Sequence, residues 1–231
     1  MIAGLQKMTL LDFPGKVACT VFLQGCNYRC PFCHNSELLP RQGEPFMDTP
    51  ALLTFLERRA GILEAVCISG GEPTLDPELE TLLRSVKALG YAVKLDTNGS
   101  RPEHLKRLVS EGLVDYVAMD VKNSPARYAQ TVGLAKVDLE AVEESLRFLL
   151  SGAVDYELRT TLVEQLHDKA SVEEMGCWVS SVGKPKKWFL QSFVDRDTVT
   201  FSGLSAPDED TLTMYRELLS ACGENVAIRG R

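Results

Sequence analysis

The chain has 231 residues, of which 45% are hydrophobic and 25% are charged, with seven cysteines and a net charge of −7. This balance is typical of a globular protein and excludes a disordered or fibrous one. The negative charge argues against a nucleic-acid binder with a broad basic surface. No apolar run approaches the ~20 residues of a membrane helix, and the first residues lack the regions of a signal peptide. We therefore expect a cytoplasmic protein whose cysteines are thiols or metal ligands.

Short apolar, β-branched runs alternate with longer amphipathic segments along the chain. The runs predict strands over residues 17–23, 65–69, 91–96, 115–120, 156–163, 187–193 and 225–228. Several of them are continuously apolar, as in parallel strands that are covered on both faces.

Helix-start patterns lie between these strands. Thr49-Pro50 and Asp76-Pro77 each offer an N-cap followed by proline, and a glycine stands at each expected end. Further helices are expected over residues 102–111, 138–152, 168–182 and 207–221.

Together the elements form six βα units and a trailing strand. A complete (βα)₈ barrel takes about 250 residues and eight units. The pattern therefore favours an α/β fold with a partial, open (βα)₆ TIM-like barrel, and a doubly wound sheet is the alternative. No linker divides the chain, so we expect a single domain over residues 1–231.

Polar or glycine-rich segments follow the first six predicted strands. In chain order they are QGCNYRCPFCHN (24–35), SGGEP (69–73), DTNG (96–99), DVK (120–122), RTT (159–161) and Gln191. The carboxyl ends of parallel strands share one edge of a sheet, which is where α/β proteins build their sites. We therefore expect these segments to form one continuous site.

Three cysteines after the first strand, spaced C-x₃-C-x₂-C, carry the sharpest chemical signal: Cys26, Cys30 and Cys33. A c-type haem or a thioredoxin-like dithiol would use only the last two. A structural zinc ion would need a fourth ligand, and His34 is awkwardly adjacent to Cys33. A [4Fe–4S] cluster normally takes four cysteines, so three leave one iron open to an outside ligand. The last interpretation is favoured, because an open iron is what a reaction site needs.

The cysteine motif, with an aromatic residue just before its third cysteine and Gly-Gly-Glu-Pro one strand later, resembles the radical S-adenosylmethionine (SAM) superfamily. The resemblance covers a core of about residues 15–195, which leaves a C-terminal helix and strand at 207–229. More narrowly, GLQKMTLLDFPGKVACTVFLQGCNYRCPFCHN (4–35) resembles the activating proteins of anaerobic ribonucleoside-triphosphate reductase, relatives of the pyruvate formate-lyase activating enzymes.

The resemblance implies one [4Fe–4S] cluster, with Cys26, Cys30 and Cys33 as its ligands and as the catalytic residues. It implies a SAM site made of Phe32, Cys33, His34, Gly70, Gly71, Glu72, Asp96, Thr97, Asn98, Asp120, Val121, Lys122, Arg159 and Gln191.

Individual roles follow from side-chain chemistry within that implied site. The two glycines allow close backbone approach to the methionine end of SAM, and Glu72 can accept from its ammonium group. Arg159 can pair with the carboxylate of SAM. Asp96 and Asp120 could also hold a hard cation. Gln191 departs from the histidine that related activases can show.

The activity that the resemblance implies is reductive cleavage of SAM to a 5′-deoxyadenosyl radical, which generates a glycyl radical in a partner enzyme. The expected partner is anaerobic ribonucleoside-triphosphate reductase, with a flavodoxin- or ferredoxin-type electron donor and neither a nucleic acid nor a membrane. The alternatives are an activase of pyruvate formate-lyase, a radical SAM enzyme for a small molecule, and a non-catalytic iron–sulfur or zinc sensor.

The remaining cysteines and two of the histidines are expected to be structural. Cys19, Cys67, Cys177 and Cys222 have no cluster-ligand spacing and are predicted to pack in the core. His104 and His167 are predicted to lie on the surface.

Overall fold

A computed structural model of the protein describes residues 1–40 and 44–229. Over these residues, an eight-stranded sheet runs in chain order from β1 to β8. Its strands are β1 (Ile2–Thr9), β2 (Ala18–Leu23), β3 (Ala65–Gly70), β4 (Ala92–Thr97), β5 (Tyr116–Asp120), β6 (Asp155–Leu162), β7 (Trp188–Ser192) and β8 (Val226–Arg229). Strand β1 is antiparallel to β2, whereas the pairs β2–β3, β3–β4, β6–β7 and β7–β8 are parallel.

From β2 onwards, helices connect the successive strands. They are α1 (Thr49–Glu57), α2 (Leu79–Ala88), α3 (Pro102–Ser110), the short α4 (Tyr128–Thr131), α5 (Leu139–Leu150), α6 (Lys169–Val182) and α7 (Glu209–Ser220). In the part of the chain that the structure describes, the order of the strands does not reverse, as it would at the switch point of a doubly wound sheet. This confirms the predicted α/β fold with six βα units, a trailing strand and the strand order of a partial barrel.

The chain divides into two compact units. Unit 1 contains residues 1–27, 37–97 and 103–118, and unit 2 contains residues 28–36, 98–102 and 119–231. Strand β5 begins in unit 1 and ends in unit 2. The cysteine motif is divided in the same way, because Cys26 belongs to unit 1 and the other two cysteines belong to unit 2.

The segment that joins β1 to β2 packs into the core of unit 1. Phe13 of this segment lies against Tyr116, with ring centroids 5.7 Å apart, and both side chains are buried with Cys67. Cys19 and Cys67 are fully buried, which confirms their predicted packing. Burial raises the pKa of each of these thiols to about 12, so both stay protonated. Cys177 contradicts the same prediction, because it is exposed on α6.

Strand β1 was not expected from the sequence. Only its first and last residues are buried, and its pairing with β2 is interrupted by register shifts. An irregular edge strand with a half-exposed face has neither a continuous apolar run nor strict alternation, and these are the patterns that reveal strands.

The N-caps of two helices differ from the prediction by one or two residues. Asp48, rather than Thr49, caps α1, since its carboxylate accepts a hydrogen bond from the amide of Ala51 at 2.8 Å. Asp76 accepts from the amide of Glu78 at 3.0 Å, but α2 begins only after Glu78. Both predicted N-caps, Thr49 and Asp76, are therefore wrong: Asp48 caps α1, and Glu78 stands at the N-cap of α2 without a side-chain cap hydrogen bond.

Candidate cofactor site

In unit 1, the start of the cysteine loop is tied to the turn that follows β3. The amide of Gly71 donates to the carbonyl of Leu23 at 2.9 Å, and the amide of Glu72 donates to the carbonyl of Gly25 at 2.7 Å. The backbone just before Cys26 is therefore held by the Gly-Gly-Glu-Pro turn.

The two glycines of that turn are required by this close backbone approach. Gly70 has φ = 118°, and a Cβ there would lie 2.3 Å from the carbonyl oxygen of Leu23. A Cβ on Gly71 would lie 2.2 Å from the carbonyl oxygen of Gly25 and 3.3 Å from the Cβ of Cys26. The predicted approach of SAM to these glycines stays a prediction, and the structure gives them a role in positioning a motif cysteine.

Glu72 is buried and already engaged within unit 1. Its Oε1 accepts hydrogen bonds from the Thr97 hydroxyl at 2.8 Å and from the Thr74 amide at 3.2 Å. These bonds link the turn after β3 to the end of β4. The predicted contact of Glu72 with the SAM ammonium group stays a prediction.

Asp96 is fixed by two donors at the end of β4. Its carboxylate accepts from the ammonium of Lys94 at 2.6 Å and from the hydroxyl of Ser69 at 2.9 Å. Lys94 is almost fully buried, so its charge has to be paired. The Asp96 carboxylate is therefore held in one orientation at the carboxyl end of the strand.

In unit 2, Cys30 lies next to a cation. Burial raises the pKa of its thiol to about 11, and the charge of Lys122 acts against this rise. The ammonium of Lys122 also lies 6.0 Å from the ring centroid of Phe32. A thiol bound to iron is deprotonated outright, and the nearby ammonium would stabilise that thiolate.

Asp120 links two cations at the end of β5. Its Oδ2 accepts from Lys122 Nζ at 2.9 Å, and its Oδ1 accepts from Arg159 Nε at 2.9 Å. The buried Val121 between them donates its amide to the carbonyl of Arg159 at 2.8 Å. Asp120 therefore holds both cations at the carboxyl end of β5.

The aromatic residues of the cysteine loop pack within unit 2. Phe32 is buried against Val163 and Phe193. The ring of His34 stacks on Phe193 with centroids 5.9 Å apart, and its Nε2 lies 2.7 Å from the carbonyl oxygen of Val194. These contacts fix the loop segment that contains Cys33.

The last two predicted SAM contacts in unit 2 have different surroundings. Asn98 is buried, and its Oδ1 accepts from the amide of Ser100 at 3.0 Å, as in an Asx turn. Gln191 is half-buried on β7, opposite Thr161 of β6 and Arg229 of β8.

A buried ion pair in unit 2 was not expected from the sequence. Glu157 is fully buried and accepts two hydrogen bonds from Arg229, at 2.7 and 2.9 Å, and the Arg229 guanidinium lies 3.6 Å from the ring centroid of Phe189. These residues come from three neighbouring strands. The signal for it in the sequence was Glu157, a charged residue inside the predicted strand at 156–163.

His167 was wrongly predicted to be at the surface. It is 2% exposed, with Nε2 2.9 Å from the carbonyl oxygen of Lys122, and its Nδ1 accepts from the Val163 amide at 3.1 Å. Burial lowers the pKa of His167, so the ring is neutral and supports the segment that carries Lys122. His104 is part-buried, with Nδ1 2.8 Å from the carbonyl oxygen of Thr74.

The donor set is suited to an iron–sulfur cluster. Each of the three motif cysteines is partly exposed and outside any disulfide, and thiolates are the usual ligands of such clusters. Within residues 1–40 and 44–229, no three His, Cys, Asp or Glu side chains stand close enough together to hold a metal ion as they are. The assignment of the ligands therefore rests on the motif and on the family.

A sheet of sequential strands, with a three-cysteine loop after its first parallel strand, is the arrangement of radical SAM enzymes. The radical SAM superfamily matches residues 20–168 of the chain. A candidate glycyl-radical enzyme activating enzyme of Methanocaldococcus jannaschii is 30% identical over 237 residues, which cover 99% of this chain and 95% of that protein.

Two further comparisons agree with this match. The pyruvate formate-lyase-activating enzyme of Clostridium pasteurianum is 31% identical over 53% of this chain and 52% of its own length. The crystal structure of a domain of the pyruvate-formate lyase-activating enzyme of Bacteroides vulgatus has the same fold, with a TM-score of 0.59 and 22% identity. It covers 72% of this chain and 99% of the domain.

The chain therefore belongs to the radical SAM superfamily, and within it to the glycyl-radical enzyme activating enzymes. Its cofactors are accordingly a [4Fe–4S] cluster and SAM. In the described part of the chain, no helix is long and apolar enough to cross a membrane.

Proposed function

We propose that this protein generates a glycyl radical on a partner enzyme, and that this partner is the anaerobic ribonucleoside-triphosphate reductase. The observation that carries the proposal is the nearly full-length match to a candidate glycyl-radical enzyme activating enzyme. The choice of partner is supported by residues 4–35, whose sequence resembles the activating proteins of that reductase.

The cysteine motif would hold the cofactors. Cys26, Cys30 and Cys33 would bind three irons of the cluster, and the open iron would receive the amino and carboxylate groups of SAM. When bound, the cluster and SAM supply a one-electron reductive cleavage that permits abstraction of a hydrogen atom. The electron would come from a flavodoxin- or ferredoxin-type donor.

The chain itself positions and shields these groups. The Gly71 turn holds the backbone before Cys26. Lys122 and Arg159, which are both fixed by Asp120, would direct positive charge at the SAM carboxylate. The buried cluster of Phe32, Val163 and Phe193 would exclude water near Cys33. Such preorganised charge acts most strongly where water is excluded.

Isotope transfer tests the reaction and the partner together. The protein is reconstituted anaerobically with iron, sulfide and SAM, and is then reduced and mixed with reductase that is deuterated at its glycine Cα positions. We expect deuterium in 5′-deoxyadenosine and a glycyl radical in the EPR spectrum of the reductase. The same experiment with deuterated pyruvate formate-lyase is expected to give neither signal.

Pyruvate formate-lyase is the second candidate partner, because its activating enzyme is among the relatives. Transfer of deuterium from the lyase alone would assign the protein to that partner. Cleavage of SAM without transfer from either enzyme would instead indicate a small-molecule substrate. A protein that binds iron but never cleaves SAM would be a sensor.

A further inference from the structure

The segment between β7 and α7 is anchored directly to the cysteine loop of unit 2. The carbonyl of Val194 lies 2.7 Å from His34 Nε2, and the carbonyl of Thr198 accepts a hydrogen bond from the hydroxyl of Ser36. Both carbonyls belong to residues 194–204, called the 194–204 loop below. This loop begins directly after Phe193, on which the ring of His34 stacks.

Apolar contacts also anchor the 194–204 loop. Val199 and Leu204 pack on the buried cluster that contains Phe32 and Phe193, and Cys30 packs on this cluster as well. The 194–204 loop thus shares one small core with the cysteine loop. A displacement of one of these two loops would therefore displace the other, because packed cores resist continuous deformation.

The far end of the loop is fixed by polar contacts. The Ser205 amide donates to Gln165 Oε1 at 2.9 Å, and Gln165 Nε2 donates to the Ser205 hydroxyl at 2.7 Å. The amide of Glu164 also donates to the carbonyl of Ser205 at 2.9 Å. The loop is therefore held at both ends and in its middle.

Despite these anchors, the loop presents large apolar side chains to solvent. Phe201 is 61% exposed and Val194 is 47% exposed. A single exposed apolar residue needs no explanation. Here, however, two of them stand on an anchored loop beside two of the motif cysteines, where a polypeptide substrate has to approach.

We propose that the 194–204 loop is a docking surface for the partner enzyme, with Phe201 inserted into an apolar pocket of the partner's polypeptide. This inference rests on the proposed function, because only a protein substrate needs such a surface. A glycine Cα can react only if its polypeptide comes close to the cofactors, so the partner has to cover the surface around the cysteine loop. A loop that is already anchored loses little conformational entropy on binding.

Binding measurements test the docking surface independently of turnover. The probe is the purified anaerobic ribonucleoside-triphosphate reductase, and its affinity for the cluster-loaded protein is measured anaerobically by calorimetry. Phe201→Asp is expected to weaken binding at least roughly tenfold, as for an aromatic anchor of an interface. Phe201→Leu keeps an apolar side chain and should restore most of the affinity.

Leu11→Asp is the matched control. Leu11 is 87% exposed and precedes the amino end of β2, whereas the cysteine loop follows the carboxyl end of that strand. This variant should bind the reductase within about twofold of the unaltered protein, since surface changes away from an interface cost little. Iron content and circular dichroism confirm that each variant is folded and loaded.

The outcomes separate the two proposals. If the unaltered protein binds the reductase and Phe201→Asp binds as tightly as Leu11→Asp, the docking surface is wrong and the proposed function stands. If the unaltered protein does not bind the reductase at all, the proposed partner is wrong and the docking proposal falls with it.

Discussion

Replacing Gly71 by alanine adds one methyl group at a place where the backbone of another segment already stands. The new Cβ would lie 2.2 Å from the oxygen and 2.7 Å from the carbon of the Gly25 carbonyl group. Non-bonded atoms pack at roughly 3.5 Å, so the Gly25 backbone has to move by about 1 Å. Because the Cβ of Cys26 is 3.3 Å away, that movement would be passed to the first motif cysteine.

The expected cost has two parts. Overpacking of this kind typically lowers the free energy of unfolding by about 1–3 kcal/mol, and the Glu72–Gly25 hydrogen bond of 2.7 Å is strained as well. Displacement of Cys26 should in addition lower the iron content per chain. Anaerobic urea unfolding of the apoprotein measures the first effect, and iron analysis after reconstitution measures the second.

Gly4→Ala is the matched control for this prediction. Gly4 also lies in unit 1, and its added Cβ would meet Phe22 Cδ2 at an ordinary 3.6 Å. This variant should stay within about 0.5 kcal/mol of the unaltered protein and bind the same amount of iron. If Gly71→Ala matched Gly4→Ala in both measurements, the role of Gly71 in positioning Cys26 would be refuted.

Three further predictions concern the ligands and the buried charges. Alanine at Cys26, Cys30 or Cys33 should abolish SAM cleavage by the reduced protein, whereas Cys177→Ala should not. If Cys177→Ala lost as much SAM cleavage as the motif variants, the ligand assignment would be overturned. Glu157→Gln leaves the Arg229 guanidinium without a charged partner and should lower the free energy of unfolding by about 1–3 kcal/mol in urea; no change would mean that the pair is not formed. Burial lowers the pKa of His167. As the pH falls below about 6.5, this histidine therefore binds a proton in the unfolded chain before it does so in the folded protein, and the free energy of unfolding decreases. His167→Gln should flatten that loss between pH 7 and pH 5, and an unchanged pH profile would contradict the assignment.

The βα repeat could be predicted because its information is local. The strands predicted at 17–23 and 65–69 are apolar runs, and the helices between them carry caps and terminal glycines that act within a few residues. The edge strand β1 was not predicted, because its burial depends on its pairing with β2 and not on the hydrophobic pattern of its own residues.

The candidate site was predictable to a different extent for different residues. The motif cysteines and the turn from Gly70 to Pro73 are contiguous in sequence, so their spacing reveals them. Lys94 and Glu157 gave a weaker signal, since each is a single charge whose partner, Asp96 or Arg229, is chosen by strand register. His167 gave no signal, because its burial depends on how the segment after β6 meets the carbonyl of Lys122.

The sequence by itself therefore determined the α/β repeat, the three-cysteine motif and the resemblance that led to the family. Each of these depends on residue types that are close together in the sequence. Only the tertiary structure decided why Gly71 has to be glycine, which carboxylate neutralises each buried cation, and that the 194–204 loop shares a small core with Phe32. Such facts depend on distances between segments that are far apart in the chain, and close packing sets those distances only once the chain has folded.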